Sequence, residues 1–421
     1  MKAIIPYQRA AFFTVLLVAG IFCLTNCFNA EEEKKPAPAA AGKKLFAGSA
    51  SCATCHAAIS ATHVNTAHFH TSEMAAATNI KGSFDSGKNT FSFSNGSLVK
   101  MEKRNGGFYQ SAIYNGIEKK SQRFDIIFGS GTKGQSYTAW VGNVLVQLPI
   151  TYFTATDQWS NSPGYPNEIS LNRVVTSRCL ECHTTYMEKT SAEAAEPERF
   201  NKASMVLGVD CEKCHGPAVD HVAFQTAHPE EKKASFIINP ASFTRAQSLD
   251  MCALCHGGRL QKTSPSFSFA AGDKLSDYFA IDTAGKDPND IDVHGNQYGL
   301  LAASKCFLKS NSLTCTTCHN PHENEKGKAA SFSQKCISCH SSKQPAAVTC
   351  KLTPALGNAI AANCTNCHMP ELPSKSIAVL LQGKEQLTSA TMHTHFIKAY
   401  PEVTEKIAAF LKSGAGHHNK K

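Results

Sequence analysis

Between residues 88 and 155 apolar and polar positions alternate in short runs, and small turn residues separate the runs. Thr90–Ser94, Leu98–Lys103, Phe108–Tyr114 and Phe124–Phe128 each read as a strand. Asn95-Gly96, Asn105-Gly106 and Asn115-Gly116 fall between runs. Asn-Gly is the strongest short hairpin signal, because both residues tolerate the positive φ that a tight turn demands. Tyr137–Val141 and Leu145–Phe153 continue the pattern around Gly142-Asn143. The stretch predicts an antiparallel β meander. It carries no Cys and no His, so packing against the rest of the chain is its simplest role.

The helical period appears elsewhere. Pro401–Lys412 has an apolar stripe, Pro at its start and Gly414 near its end, the usual punctuation of a helix. Pro197–Leu207, followed by Gly208, predicts another. Asp273–Gly285 reads as a loop with one helical turn. Near the N-terminus, Lys2 and Arg9 precede an apolar run from Ala10 to Leu24. That run is short for a membrane span and suits a leader over residues 1–26. It ends in Leu24-Thr25-Asn26-Cys27, similar to a lipoprotein box in which Cys27 takes the lipid; the other readings are an ordinary cleaved signal or an uncleaved anchor. Glu31–Glu33 is either a surface-export tag or a solvated charge run, and Lys34–Lys44 is an Ala/Pro/Lys tether.

The candidate chemistry changes this picture. Cys-x-x-Cys-His occurs seven times: Cys52–Cys55–His56, Cys179–Cys182–His183, Cys211–Cys214–His215, Cys252–Cys255–His256, Cys315–Cys318–His319, Cys336–Cys339–His340 and Cys364–Cys367–His368. With 18 Cys and 18 His in 421 residues, chance gives roughly 0.03 matches. The pattern is the c-type haem attachment signature. Two thiols one helical turn apart add to the two vinyl groups of a porphyrin, and the following imidazole binds the iron. Structural zinc sites use Cys pairs two at a time and need no His after each.

Seven covalently attached haem c groups leave about sixty residues each, too few for private globular domains. The expected fold is therefore mainly α, with extended loops around a chain of stacked haems and the β meander inserted between the first two motifs. The expected segments are a leader (1–26), a lipoprotein-type tether (27–45), a first haem segment (46–87), a β-rich insert (88–175), a six-haem domain (176–375) and a C-terminal helical segment and tail (376–421). Formal charge is +9. Haem propionates would offset it, and no stretch mixes Lys/Arg with aromatics as a nucleic-acid binder does. Of the remaining cysteines, Cys23 lies in the leader. Cys306 and Cys350 are expected to pair as a disulfide, as leftover cysteines of an exported chain most often do.

Each iron needs a second axial ligand to become a saturated electron carrier. The candidates are His63, His68, His70, His221, His228, His294, His322, His393 and His395; His417 and His418 sit in the tail. His322 follows His319 by three residues, which span at most about 10 Å. That is too short to round a porphyrin edge, so His322 is expected to bind a neighbouring haem. One member of each alternate pair (His68/His70, His393/His395) is expected to bind. His63 and His228 then decide whether every iron is filled or one stays open.

Several pieces resemble the multihaem cytochromes of the cytochrome c-554/c-prime class: Thr66-Ala67-His68, Gly129-Ser130-Gly131, Gly134-Gln135-Ser136-Tyr137, Gln147-Leu148-Pro149, Trp159 and Ser162-Pro163-Gly164-Tyr165. The run from Cys211 to His221, Ser304-Lys305-Cys306-Phe307, the run from Cys315 to His322, and Cys367-His368-Met369-Pro370 extend the likeness over most of Ala50–Pro370. The resemblance implies a mainly helical haem scaffold that shuttles electrons, with stacked haem pairs and sometimes one open haem. The chain departs from that class in having seven motifs rather than four, and in the meander. No Cys-x-x-Cys-Lys motif is present, which counts against a nitrite-reductase-like active haem. The sequence thus favours an exported, membrane-tethered electron-transfer cytochrome, served by redox partner proteins or a quinol-linked membrane complex and facing the periplasm or the cell surface. The alternative is a reductase or oxidase of a small nitrogen or sulfur compound at one open haem.

Overall fold

The computed structural model describes residues 45–281, 287–340 and 350–413. The leader, Cys27, the acidic run, nearly all of the tether, and His417 and His418 lie outside the described residues. No helix among the described residues is long and apolar enough to cross a membrane.

Two antiparallel sheets dominate. The first holds only the front part of the expected meander: Thr90–Ser92, Leu98–Arg104, Gly107–Tyr114 and Ile117–Arg123 pair in sequence order, while the strands expected from Phe124 to Phe153 enter the second sheet. Arg104 pairs with Gly107 and Tyr114 with Ile117, so each turn has two residues. Asn105, Gly106, Asn115 and Gly116 all have φ between 50° and 77°, the geometry that matches the twist of the flanking strands. Lys119 and Lys120 lie exposed on the outer strand, where lysines discourage pairing with another chain.

The second sheet has nine strands among the described residues. Its order is Ser72–Met74, Ile126–Phe128, Gly134–Val141, Ile150–Phe153, Gln158–Asn161, Glu371–Leu380 and Leu387–His393. Val144–Gln147 also pairs with Gly134–Val141, and Arg173–Val174 pairs with Val144–Gln147. The run expected to be continuous from Leu145 to Phe153 breaks at Leu148-Pro149, because Pro149 has no N–H for the ladder.

This sheet is apolar on both faces, and the strand period of two sorts its residues. Ile127, Val144 and Val146 face the meander and join Phe91, Val99, Met101, Tyr137 and Trp159 in a sandwich core. Their neighbours Ile126 and Leu145 face the other way, onto Leu180, Met187 and Phe200 at the second Cys-x-x-Cys-His motif. The strands therefore form a wall against which the motif region is built.

The expectation of a mainly α fold is overturned. The described residues are about 31% helical and 24% strand. The motif helices are short: Ser49–Cys55, Ser177–His183, Cys211–His215 and Cys364–His368 have five to seven residues each. Arg245–His256 and Ala329–His340 reach twelve, the former started by a capping box between Thr244 and Gln247. Where a helix was expected at Pro197–Leu207 there is a single 3-10 turn, Lys202–Ser204, and a strand, Val206–Leu207, that pairs with Thr184–Tyr186 directly after His183. Tertiary pairing and the complete burial of Phe200 override local helix propensity here. From residue 371 an antiparallel hairpin comes first, and only then the expected helix Pro401–Lys412.

Candidate haem-binding site

Five of the seven motifs converge on one cavity of about 2750 Å³, well above the 1,000 Å³ or so of a large single-ligand pocket. Both cysteines and the histidine of each of the first five motifs line it, as does Cys336 of the sixth. The sheet supplies part of the wall, through Phe128–Gln135 and Thr151–Phe153.

No disulfide joins any of the described cysteines. Four thiol–thiol contacts bring motifs together: Cys52 with Cys211, Cys182 with Cys255, Cys252 with Cys315, and Cys336 with Cys364. The first motif thus adjoins the third, the fourth adjoins both the second and the fifth, and the sixth adjoins the seventh. The contact with Cys255 lowers the Cys182 thiol, and that with Cys336 lowers the Cys364 thiol. The expected disulfide is not formed. Cys306 is half-buried beside the thiols of Cys318 and Cys339, whereas Cys350 is exposed and near Cys367. Cys306 thus neighbours the fifth and sixth motifs, and Cys350 the seventh.

Eight of the nine candidate distal histidines line the cavity: His63, His68, His70, His221, His294, His322, His393 and His395. His228 does not. It stands exposed against Phe224, with Nδ1 3.9 Å from Glu230, because the helix Val219–Ala227 ends one residue before it. Both members of each alternate pair reach the cavity, where one of each was expected.

Three motif histidines face a second imidazole at one recurring separation. Ring centroids lie 6.2 Å apart for His68 and His256, 6.3 Å for His215 and His322, and 6.1 Å for His319 and His395. Two metal–nitrogen bonds of about 2 Å each, plus the distance from nitrogen to ring centre on both sides, give a little over 6 Å. The gaps therefore fit one iron each. His322 faces His215 of the third motif, not its own His319, as the chain-length argument requires. Of the imidazoles that act on His183, His294 acts more strongly than His256.

Burial, aided by neighbouring imidazoles, pushes His68 and His395 down to about 4, and it lowers His183, His256, His294 and His322 as well. These rings are neutral at ordinary pH, the form that binds a metal. In seven histidines Nδ1 is held by an acceptor, which leaves Nε2 for the iron. The acceptors are Glu73 for His70, the Ile238 carbonyl for His215, the Ser235 carbonyl for His221, Gln297 for His256, Glu325 for His319, the Lys398 carbonyl for His368 and the Met369 carbonyl for His393. His63 differs. It is buried, with Nε2 3.6 Å from Asp210, and meets the edge of His322 rather than a motif histidine.

Supporting residues were missed in the sequence. Glu212, between the two cysteines of the third motif, is buried and accepts from the backbone N–H groups of Ala47, Gly48 and Ala218. It ties the first motif's helix to the third. Asp292 accepts from the backbone of Lys375 and Ser376 and from His294 N–H, clasping the His294 loop to the C-terminal hairpin. A carboxylate inside Cys-x-x-Cys is visible in sequence; Asp292 gives no local signal.

Comparisons with known proteins find haem proteins. Residues 307–378 match the family described as cytochrome c3, and residues 154–216 match that of cytochrome c554 and c-prime. The structure is similar to the crystal structure of the outer cell wall cytochrome OcwA, with a TM-score of 0.51 and 15% identity, over 86% of this chain and 81% of that one. At that identity the likeness shows a shared fold. No curated protein matches the chain. The family matches bear out the resemblance to multihaem c-type cytochromes, electron-transfer proteins with covalently bound haem c.

Proposed function

We propose that this chain is an exported electron carrier holding seven haem c groups, one at each Cys-x-x-Cys-His motif, most of them closed by two imidazoles. The observation that carries this reading is the set of facing imidazoles at 6.1–6.3 Å within one shared cavity. Haem c bound in this way supplies reversible one-electron chemistry, with small-molecule reactivity confined to any iron that lacks a second ligand.

The chain's own residues hold the donors in place. The turn from His319 to His322 presents one motif imidazole and, three residues on, the imidazole facing His215, so a single turn joins two sites. Asn320 Oδ1 accepts from His322 N–H at 3.1 Å and fixes that turn. With His63 set against Asp210, seven cavity histidines remain for seven irons: His68, His70, His221, His294, His322, His393 and His395.

The wild-type protein should contain seven haems per chain by denaturing pyridine haemochrome assay against protein mass. Carbon monoxide should bind no more than one of them in the reduced protein, and EPR of the oxidised form should be dominated by low-spin signals. Five or fewer haems would refute full use of the motifs. Two or more reactive haems would favour the reductase or oxidase reading.

Export is supported by the basic-then-apolar leader and by the cell-wall setting named for OcwA. Cys27 is the proposed lipid site, and redox partner proteins or a quinol-linked membrane complex are the proposed partners. Cys27→Ser should move the protein from the membrane to the soluble fraction. Retention in the membrane in unprocessed form would instead make residues 10–24 the anchor.

A further inference from the structure

Four motif histidines have a described acceptor at Nδ1, and one of these acceptors is unlike the rest. Ile238 and Lys398 offer backbone carbonyls to His215 and His368, at 2.9 and 3.0 Å. Gln297 offers a neutral amide oxygen to His256 at 3.1 Å. Glu325 offers a carboxylate to His319, with Oε2 3.0 Å from Nδ1. The carboxylate is held in that pose, because its other oxygen accepts from Asn320 N–H at 3.0 Å. Its side chain is only 21% exposed, so solvent screening is incomplete.

A carboxylate accepting from Nδ1–H draws the proton toward itself and makes the imidazole a stronger donor at Nε2. A stronger axial donor stabilises the oxidised iron. A neutral acceptor does this less. We infer that Glu325 is a potential-setting residue, lowering the reduction potential of the haem at the fifth motif below that of the haems whose motif histidines bond to neutral acceptors. The inference rests on the haem-carrier reading and adds a direction to it. The fifth motif adjoins the fourth through Cys315 and Cys252, so the fifth haem would be the donor and the fourth, with Gln297, the acceptor.

The test is spectroelectrochemical titration of the full-length holoprotein, run with a haem count and a low-spin spectrum of the same sample. Glu325→Gln retains an acceptor of the same shape but removes the charge. One one-electron step should move to higher potential while the other steps overlay wild type. Gln297→Glu is the converse and does not depend on how the first variant folds: one step should move to lower potential. If either variant carries its full complement of low-spin haems and its titration overlays that of wild type, the inference is overturned. A shortfall of haem in wild type itself would count against the carrier reading instead, so the two failures are distinguishable.

Discussion

Replacing His322 with Ala should create one carbon monoxide-reactive, high-spin haem, and that haem should belong to the third motif rather than to the fifth, where His322 lies in sequence. His322 faces His215 at 6.3 Å with ring planes 21° apart, and no more than about 10 Å of chain separates it from His319. The reactive fraction should rise by one haem in seven, an all-or-none change at that site. Removing the third haem through Cys211→Ala and Cys214→Ala in the same background should abolish the new signal; if the signal persists, His322 closes a different iron.

The second large effect is on stability. Gly208→Ala should destabilise the protein by about 3 kcal/mol, read as a fall in denaturant midpoint. Gly208 has φ +70°, a region that disfavours side chains, and an added Cβ would lie 2.3 Å from the Phe69 carbonyl oxygen. Backbone of both partners must shift. The damage falls where the His68 segment meets the strand leading to the third motif: Val209 N–H donates to the His68 carbonyl at 2.9 Å, and Gly208 N–H to Ser72 Oγ at 2.9 Å. The variant should therefore also loosen His68 against His256 and gain reactivity with carbon monoxide. A midpoint within experimental error of wild type would show that this crossing tolerates displacement.

What could be read from sequence divides along the range of the interactions. The meander was legible because Asn105-Gly106 and Asn115-Gly116 encode their turns locally. The motif residues were legible because attachment needs two thiols and an imidazole at fixed spacing. That His322 serves another motif followed from chain length alone. The balance of helix and strand did not follow. Seven motifs suggest helices, but most motif helices stop within two turns, as at Gly216, whose φ of +76° ends Cys211–His215. The hairpin Glu371–His393 was hidden because Pro373, Ser374 and Lys375 interrupt its apolar alternation. Its link to the large sheet is the long-range pair Asn161 and Leu380. The acceptors Asp292 and Glu325 were hidden for a similar reason, since a carboxylate on a polar loop looks alike whether or not an imidazole meets it.

The sandwich between the two sheets has a bearing on biosynthesis. Its core, from Phe91 and Val99 through Tyr137 and Leu148 to Trp159, contains no cysteine and no histidine. It needs nothing from a cofactor to bury its apolar surface. The strands that supply this core all precede the second motif in the chain, and only the hairpin of Glu371–Leu380 and Leu387–His393 joins the large sheet later, so the core can close while the six later motifs are still emerging or awaiting attachment. The strands already paired then present Ile126 and Leu145 as a template on which Leu180 and the second motif can settle. Cofactor loading and folding, competing demands in a chain with so many attachment points, are here assigned to different stretches of sequence.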